Sequence, residues 1–201
     1  MRLTVGSSVI GRQLGTVSGA TVTVPDPDRM LHLQFRRFAG CPVCNLHLRS
    51  FVHRNGEVLD ARIREVVVFH SPAEELLPQV GDLPFAVVAD PGKQLYEEFG
   101  VESAKRALLD PRAWPAIVEG VLTSLWEIVR HRHPAPPNPP HGGRFGLPAD
   151  FLIASDGSVL AAKYGQHAND QWSVDELLVL ARREEASERS AVRPAGDSRA
   201  T

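Results

Sequence analysis

Apolar and polar residues alternate with a period of two early in the chain. Leu14–Ser18 and Thr21–Val24 flank Gly19-Ala20 and predict a hairpin within a β-rich lead-in, residues 1–30. Pro25-Asp26-Pro27-Asp28 is a run of turn formers. Residues 31–38 (LHLQFRRF) start as an alternation and predict a strand that stops at Ala39-Gly40. After Cys41 the period lengthens: Val43, Leu46, Leu48 and Phe51 suit a helix, with Pro42 in its first turn. Ile63–Phe69 (IREVVVF) and Phe85–Ala89 are short β-branched runs, the mark of strands covered on both faces. Ser71 and Glu74 read as N-cap and capping box of a helix, and Asp90-Pro91-Gly92 opens another through Tyr96 and Phe99. Trp114, Ile117, Val118, Val121, Leu122, Leu125 and Val129 keep helical spacing over four turns. A Pro/Gly/His-rich loop fills 131–148. Ala149–Ala154 and Ser158–Tyr164 flank Ser155-Asp156-Gly157 as an antiparallel hairpin, and Ser173 with Glu176 caps a last helix, Val174–Arg183. The order β-α-β-α-β-α-(helix)-β-β-α predicts an α/β fold, with a sheet parallel at first and closed by a hairpin and helix.

Length and composition narrow this. The 201 residues suggest one domain, 1–184, enlarged by an insertion at 111–148 and followed by a polar, disordered tail at 185–201. Hydrophobic residues are 43% and charged ones 23%, as in ordinary globular proteins. Lys+Arg 22 against Asp+Glu 24 leaves a net charge of −2, which argues against a nucleic-acid partner. The opening MRLTVGSSVIGRQLG lacks the apolar stretch of a secretory signal. No run approaches the roughly 18 apolar residues of a membrane span. The expectation is a cytoplasmic protein without membrane contact.

The candidate chemistry lies in the two cysteines of the chain, Cys41 and Cys44, within Gly40-Cys41-Pro42-Val43-Cys44. At a strand-to-helix junction, the first thiol meets the unpaired N–H groups and positive dipole end of the helix, which favour a thiolate. An exposed Cys41 would then be a nucleophile, and Cys44 could resolve its mixed disulfide or sulfenic acid. Two plainer readings stand beside this one. The cysteines could be ordinary core residues. Alternatively Cys41, Cys44 and His47 could supply three ligands of a metal site, although zinc would want a fourth. Arg36 and Arg37 end the preceding strand; one could support the thiolate, against the plainer reading of a solvated edge. His47 could move protons, and Arg144 could reach the site from the loop. Tyr164, His167, Asp170 and Trp172 read as a cluster that anchors the loop before the last helix.

The segments FRRFAGCPVCNLHLRSF, IREVVVFHS, FAVVADP, GLPADFLIASDG and KYGQHANDQWSVDELL resemble the peroxiredoxin-like branch of the alkyl hydroperoxide reductase/thiol-specific antioxidant family. The resemblance spans roughly residues 14–183. It implies a thioredoxin-like fold, a central mixed sheet flanked by helices, with a redox-active cysteine heading the first long helix. Cys41 falls on that position, with Cys44 as partner. The family's Pro-x-x-x-Thr-x-x-Cys pattern is missing: counted back from Cys41, its positions hold Gln34 and Phe38. Where the family's second arginine usually precedes the strand DFLIA, this chain has Pro148. Pro148 resembles instead the cis-proline that thioredoxins set opposite their C-x-x-C; the alternative is a trans proline leading into the strand.

Three functions follow as expectations. The first is a peroxiredoxin-like antioxidant that reduces hydroperoxides or disulfides through Cys41 and Cys44. It would need no bound cofactor, only an external reductant: a thioredoxin- or glutaredoxin-type protein or a low-molecular-weight thiol. The second is a thioredoxin- or glutaredoxin-like disulfide oxidoreductase without peroxidase activity. The third is a non-catalytic module binding a metal or a partner through the insertion, whose apolar helix could pack in the core, cover the site as a lid, or form a homodimer contact.

Overall fold

The structure is a computed structural model that describes residues 2–80, 83–102, 106–130, 140–143 and 145–192. Strands β1 (Arg12–Gly15) and β2 (Thr21–Val24) pair antiparallel as the predicted hairpin. Five strands build the central sheet: β3 (Met30–Phe35), β4 (Ile63–Phe69), β5 (Ala86–Ala89), β6 (Ala149–Ile153) and β7 (Val159–Tyr164). Their spatial order is β5-β4-β3-β6-β7. The first three run parallel, and β6 and β7 antiparallel, so the sheet is mixed, as expected.

Helices α1 (Pro42–His53), α2 (Asn55–Asp60), α3 (Ala73–Val80), α4 (Gln94–Glu98), α5 (Arg106–Leu109), α6 (Trp114–Val129) and α7 (Val174–Val192) connect and cover it. Asp90 opens α4 as the sequence suggests, its carboxylate accepting the N–H groups of Gln94 at 3.0 Å and Leu95 at 2.8 Å. Ser173 and Glu176 form the expected reciprocal cap of α7, at 2.7 and 3.2 Å. That helix continues past Arg183 to Val192, into the segment expected to be tail. Ser71 departs from expectation: its Oγ accepts the N–H of Ala39 at 2.9 Å, tying the end of β4 to the loop before Cys41. Of the cluster expected before α7, Asp170 anchors the loop by accepting Gln166 N–H at 2.9 Å, whereas the Tyr164 hydroxyl turns away and donates to Phe99 O at 2.6 Å.

The sheet separates two environments. Leu31, Leu33 and Phe35 of β3 join Val66, Val68, Phe99 and Phe151 in one apolar core. On the opposite face lie His32 and Gln34 of β3 and Arg36 just past its end, all fully buried. The alternation of this strand therefore does not mark a wet face. The register sets His32 beside Glu65 of β4 and Gln34 beside Asp150 of β6. His32 Nδ1 lies 2.9 Å from Glu65, Arg36 Nη2 donates to Asp150 at 2.7 Å, and Gln34 bridges Glu65 and Arg36. Trp172 N donates to the second oxygen of Asp150 at 3.1 Å. Opposite charges and shared hydrogen bonds make the burial tolerable. Among the described residues, no helix is long and apolar enough to cross a membrane.

Candidate active site

The site grows from the end of β3, the middle strand. Arg37 and Phe38 leave the sheet, and Gly40 turns the chain at φ +71°, a conformation open to a residue without Cβ. The next residue, Cys41, is the N-cap of α1. Pro42 follows at the first helical position, where its missing N–H costs nothing. The Sγ of Cys41 plays the part that a Ser or Asp oxygen plays in other caps, accepting the N–H of Cys44 at 3.3 Å. It also accepts a hydrogen bond from Arg37 Nη2 at 2.9 Å. Both cysteines are unpaired thiols and both are buried.

Burial corrects the expectation of an exposed Cys41, which has 0% exposure. Phe38, Val43, Leu48, Leu76 and Ala116 share the apolar cluster that holds the two sulfurs. The cover comes from α6. A Cβ at Gly120 would lie 2.9 Å from the carbonyl carbon and oxygen of Pro42, so glycine allows that helix to touch the backbone beside Cys41.

The thiols share one negative charge. Burial opposes ionisation of Cys44. A hydrogen bond from Cys41 and the charges of Arg37 and Arg36 outweigh it, bringing this thiol to about 6. Burial, together with the hydrogen bond it gives Cys44, pushes the Cys41 thiol up. The pair thus loses its first proton well below the ordinary thiol range and its second far above it. Arg37 and the α1 N-terminus, the donors found on Cys41 Sγ, can stabilise the charge on either sulfur as the proton moves between them.

Arg36 and Arg37 are both buried, which overturns the solvated-edge reading; β3 is the central strand and α1 and α6 cover its end. His47 does not join the sulfurs. Its Nε2 donates to Trp172 O at 2.8 Å and its ring packs 5.0 Å from Phe51. Burial and the Arg36 charge lower its pKa to about 3, so it stays neutral. The three-ligand set of Cys41, Cys44 and His47 is therefore not assembled, and no other group of metal-ligating side chains gathers among the described residues. Pro148 is trans, contrary to the cis expectation: among the described residues the one cis bond is Val24–Pro25. Pro148 leads straight into β6, and its carbonyl accepts Gly165 N–H at 2.9 Å. Arg144 lies outside the described residues, as does the loop at 131–139.

His70 is a site residue that the sequence reading passed over. It directly follows β4, and its N–H donates to Arg37 O at 3.2 Å. Its Nδ1 donates to His141 O at 3.0 Å, which leaves Nε2 as a buried lone pair. A Cβ built on Gly146 would lie 3.2 Å from that nitrogen and 3.4 Å from Arg37 Cγ, so both residues flank one point. Burial and the nearby Lys93 and Arg37 charges lower its pKa to about 4. The available signal was position, at the C-terminal end of a central parallel strand, where α/β sheets place their ligands.

A dithiol at the head of a helix leaving the middle strand of this mixed sheet defines a thioredoxin-like protein. Within that class the chain belongs to the AhpC/TSA antioxidant enzyme family, whose profile matches residues 50–167. The match starts after Cys44, so membership rests on the scaffold and not on the C-x-x-C itself. No curated protein matches the chain. Solved structures agree on the fold. The peroxidoxin BcpB of Mycobacterium tuberculosis has a TM-score of 0.64 at 17% identity, over 96% of this chain and 100% of that one. A reduced 2-Cys peroxiredoxin of Plasmodium vivax gives 0.63 at 13%, over 97% and 89%. A chain described as a thiol:disulfide interchange protein DsbE of Chlorobium tepidum gives 0.53 at 16%, over 95% and 99%.

Proposed function

We propose that the protein reduces hydroperoxides through the Cys41–Cys44 dithiol. The observation that carries this reading is the Arg37 guanidinium on Cys41 Sγ at 2.9 Å, inside a site with no exposed sulfur. A small peroxide needs less opening of such a site than a protein disulfide does. Arg37 also supplies, from before the helix, a cation that can hold negative charge developing on a breaking O–O bond.

Transfer of the Cys41 proton to Cys44 moves the shared charge onto Cys41, and this thiolate attacks one peroxide oxygen. The O–O bond breaks, an alkoxide or hydroxide leaves and takes up a proton, and Cys41 becomes a sulfenic acid. Cys44 then gives up its proton and attacks the Cys41 sulfur; the S–S bond forms, and the departing hydroxide takes up that proton as water. An external thiol reductant of thioredoxin, glutaredoxin or low-molecular-weight type returns two electrons and two protons. His70, neutral and with a free lone pair beside Arg37, is placed to accept and return a proton. The absence of Thr at position 38 favours a second reading, disulfide reduction without peroxidase activity.

Stopped-flow mixing of the reduced protein with hydrogen peroxide, cumene hydroperoxide and oxidised glutathione tests the choice. Peroxide oxidation faster than glutathione disulfide exchange, lost in Cys41→Ser, is expected. Exchange with the disulfide alone would replace the peroxidase reading with the second one, and undiminished turnover in Cys41→Ser would remove the dithiol from the mechanism.

A further inference from the structure

Helix α6 is built inside out. The side it turns to α1 and the sulfurs carries small residues, Ala116 and Gly120. Ile117 packs at the edge of that inner side, but most of the large residues face away: seven of the fifteen exposed large apolar side chains among the described residues lie on this one helix. Trp114 is 57% exposed, Leu122 63% and Val129 75%. A surface helix that only had to cover the core would show the reverse.

The outward positions are also self-complementary. Trp126 apart, the exposed large residues 114, 118, 121, 122, 125 and 129 step by 4, 3, 1, 3 and 4, a sequence that reads the same from either end. If a second copy of α6 lies antiparallel across a two-fold axis between Val121 and Leu122, Trp114 meets the partner's Val129. Val118 then meets the partner's Leu125, and Val121 the partner's Leu122. Each bulky residue is matched with a smaller or equal one, as interdigitation requires. Glu119 falls opposite the partner's Ser124, so the pairing sets no like charges face to face. Trp126, with the Arg130 guanidinium 3.6 Å over its ring, falls at the flank opposite Ile117. Only an isologous contact needs such a palindrome; a different partner protein would not.

We infer that the outer face of α6 is a homodimer interface in which two copies of this helix pair antiparallel about Val121 and Leu122. Because the inner face of the same helix touches Pro42, the dimer holds the cover of both redox sites in place. The contact does not depend on which oxidant the sulfurs reduce.

Sedimentation velocity on the full chain tests it. Wild type should sediment as a species of twice 22.0 kDa. Val118→Glu and Leu125→Lys, both at exposed positions, should each weaken the dimer on the order of 100-fold, since each puts two unpaired charges into the contact. The double variant Val118→Glu/Leu125→Lys should regain the dimer, because each introduced acid then faces the introduced base of the other copy. Circular dichroism confirms that the variants are folded. A wild type that stays monomeric at about 100 µM, a dimer indifferent to both single variants, or a double variant that stays monomeric would each overturn the proposal.

Discussion

Replacing Arg37 with methionine removes the guanidinium, which also lies 5.6 Å over the Phe38 ring, while keeping most of the apolar stem. The hydrogen bond lost, Arg37 Nη2 to Cys41 Sγ at 2.9 Å, joins a charged donor to a sulfur that can carry negative charge. Such bonds contribute about 1.5–3 kcal/mol, or roughly one to two pKa units. The first ionisation of the pair, near 6 in wild type, should therefore move to about 7–8. At pH 6 the ionised fraction falls from about one half to between a tenth and a hundredth, and the rate of any thiolate reaction should fall in step. Thiolate absorbance at 240 nm reads this directly. The method needs no reagent to reach the buried sulfurs, and Cys41 and Cys44 are the chain's two cysteines. The Cys44→Ser variant gives the single-thiol baseline. An Arg37→Met midpoint equal to that of wild type would show that the arginine does not govern the charge of the pair, and the proposed role of Arg37 would fall.

Two further outcomes follow from the buried groups. Burial alone would lower the His32 pKa, but Glu65 and Asp150 raise it to about 9, above an unfolded value near 6.5. The folded protein therefore holds this proton more tightly. Its contribution, roughly 2–4 kcal/mol, is complete below pH 6.5 and lost as pH rises through 9. His70 acts in the opposite sense: with a folded value of about 4, it costs stability as pH falls from 6.5. Denaturant unfolding across pH should show both limbs, and His32→Gln should flatten the alkaline one; an unchanged alkaline slope would contradict the protonated assignment. Separately, Gly120→Val should push α6 off Pro42, lower stability by about 1–3 kcal/mol and speed alkylation of the cysteines. A variant as slow to alkylate as wild type would mean that α6 does not limit access.

Periodicity carried most of the fold. Ile63–Phe69 matches β4 to the residue, and Ser173 with Glu176 marks the start of α7, because short-range patterns decide both. The site was legible in its location and not in its environment. Gly-Cys-Pro-x-Cys points to a helix N-terminus whatever surrounds it, whereas the burial of Cys41 depends on α6, more than seventy residues away in the chain. The same distance hid the partners of β3. His32, Gln34 and Arg36 alternate with apolar residues as a strand with one wet face does, and only the register with Glu65 and Asp150 shows that their face is dry. Ser71 misled for a related reason: its hydroxyl had a local use as a cap, but a tertiary donor, Ala39 N, takes it.

The dry ionic chain of His32, Glu65, Arg36 and Asp150 also bears on how the protein can diverge. Removing one member leaves an opposite charge stranded without solvent, the costly case, whereas replacing the set with well-packed apolar residues can be neutral or better. Two good sequences are thus separated by poor single-step intermediates. The four positions, on three different strands, are expected to be inherited as a block. In relatives that keep this scaffold they should change together or not at all, and a lineage that has lost one of them should have lost the rest.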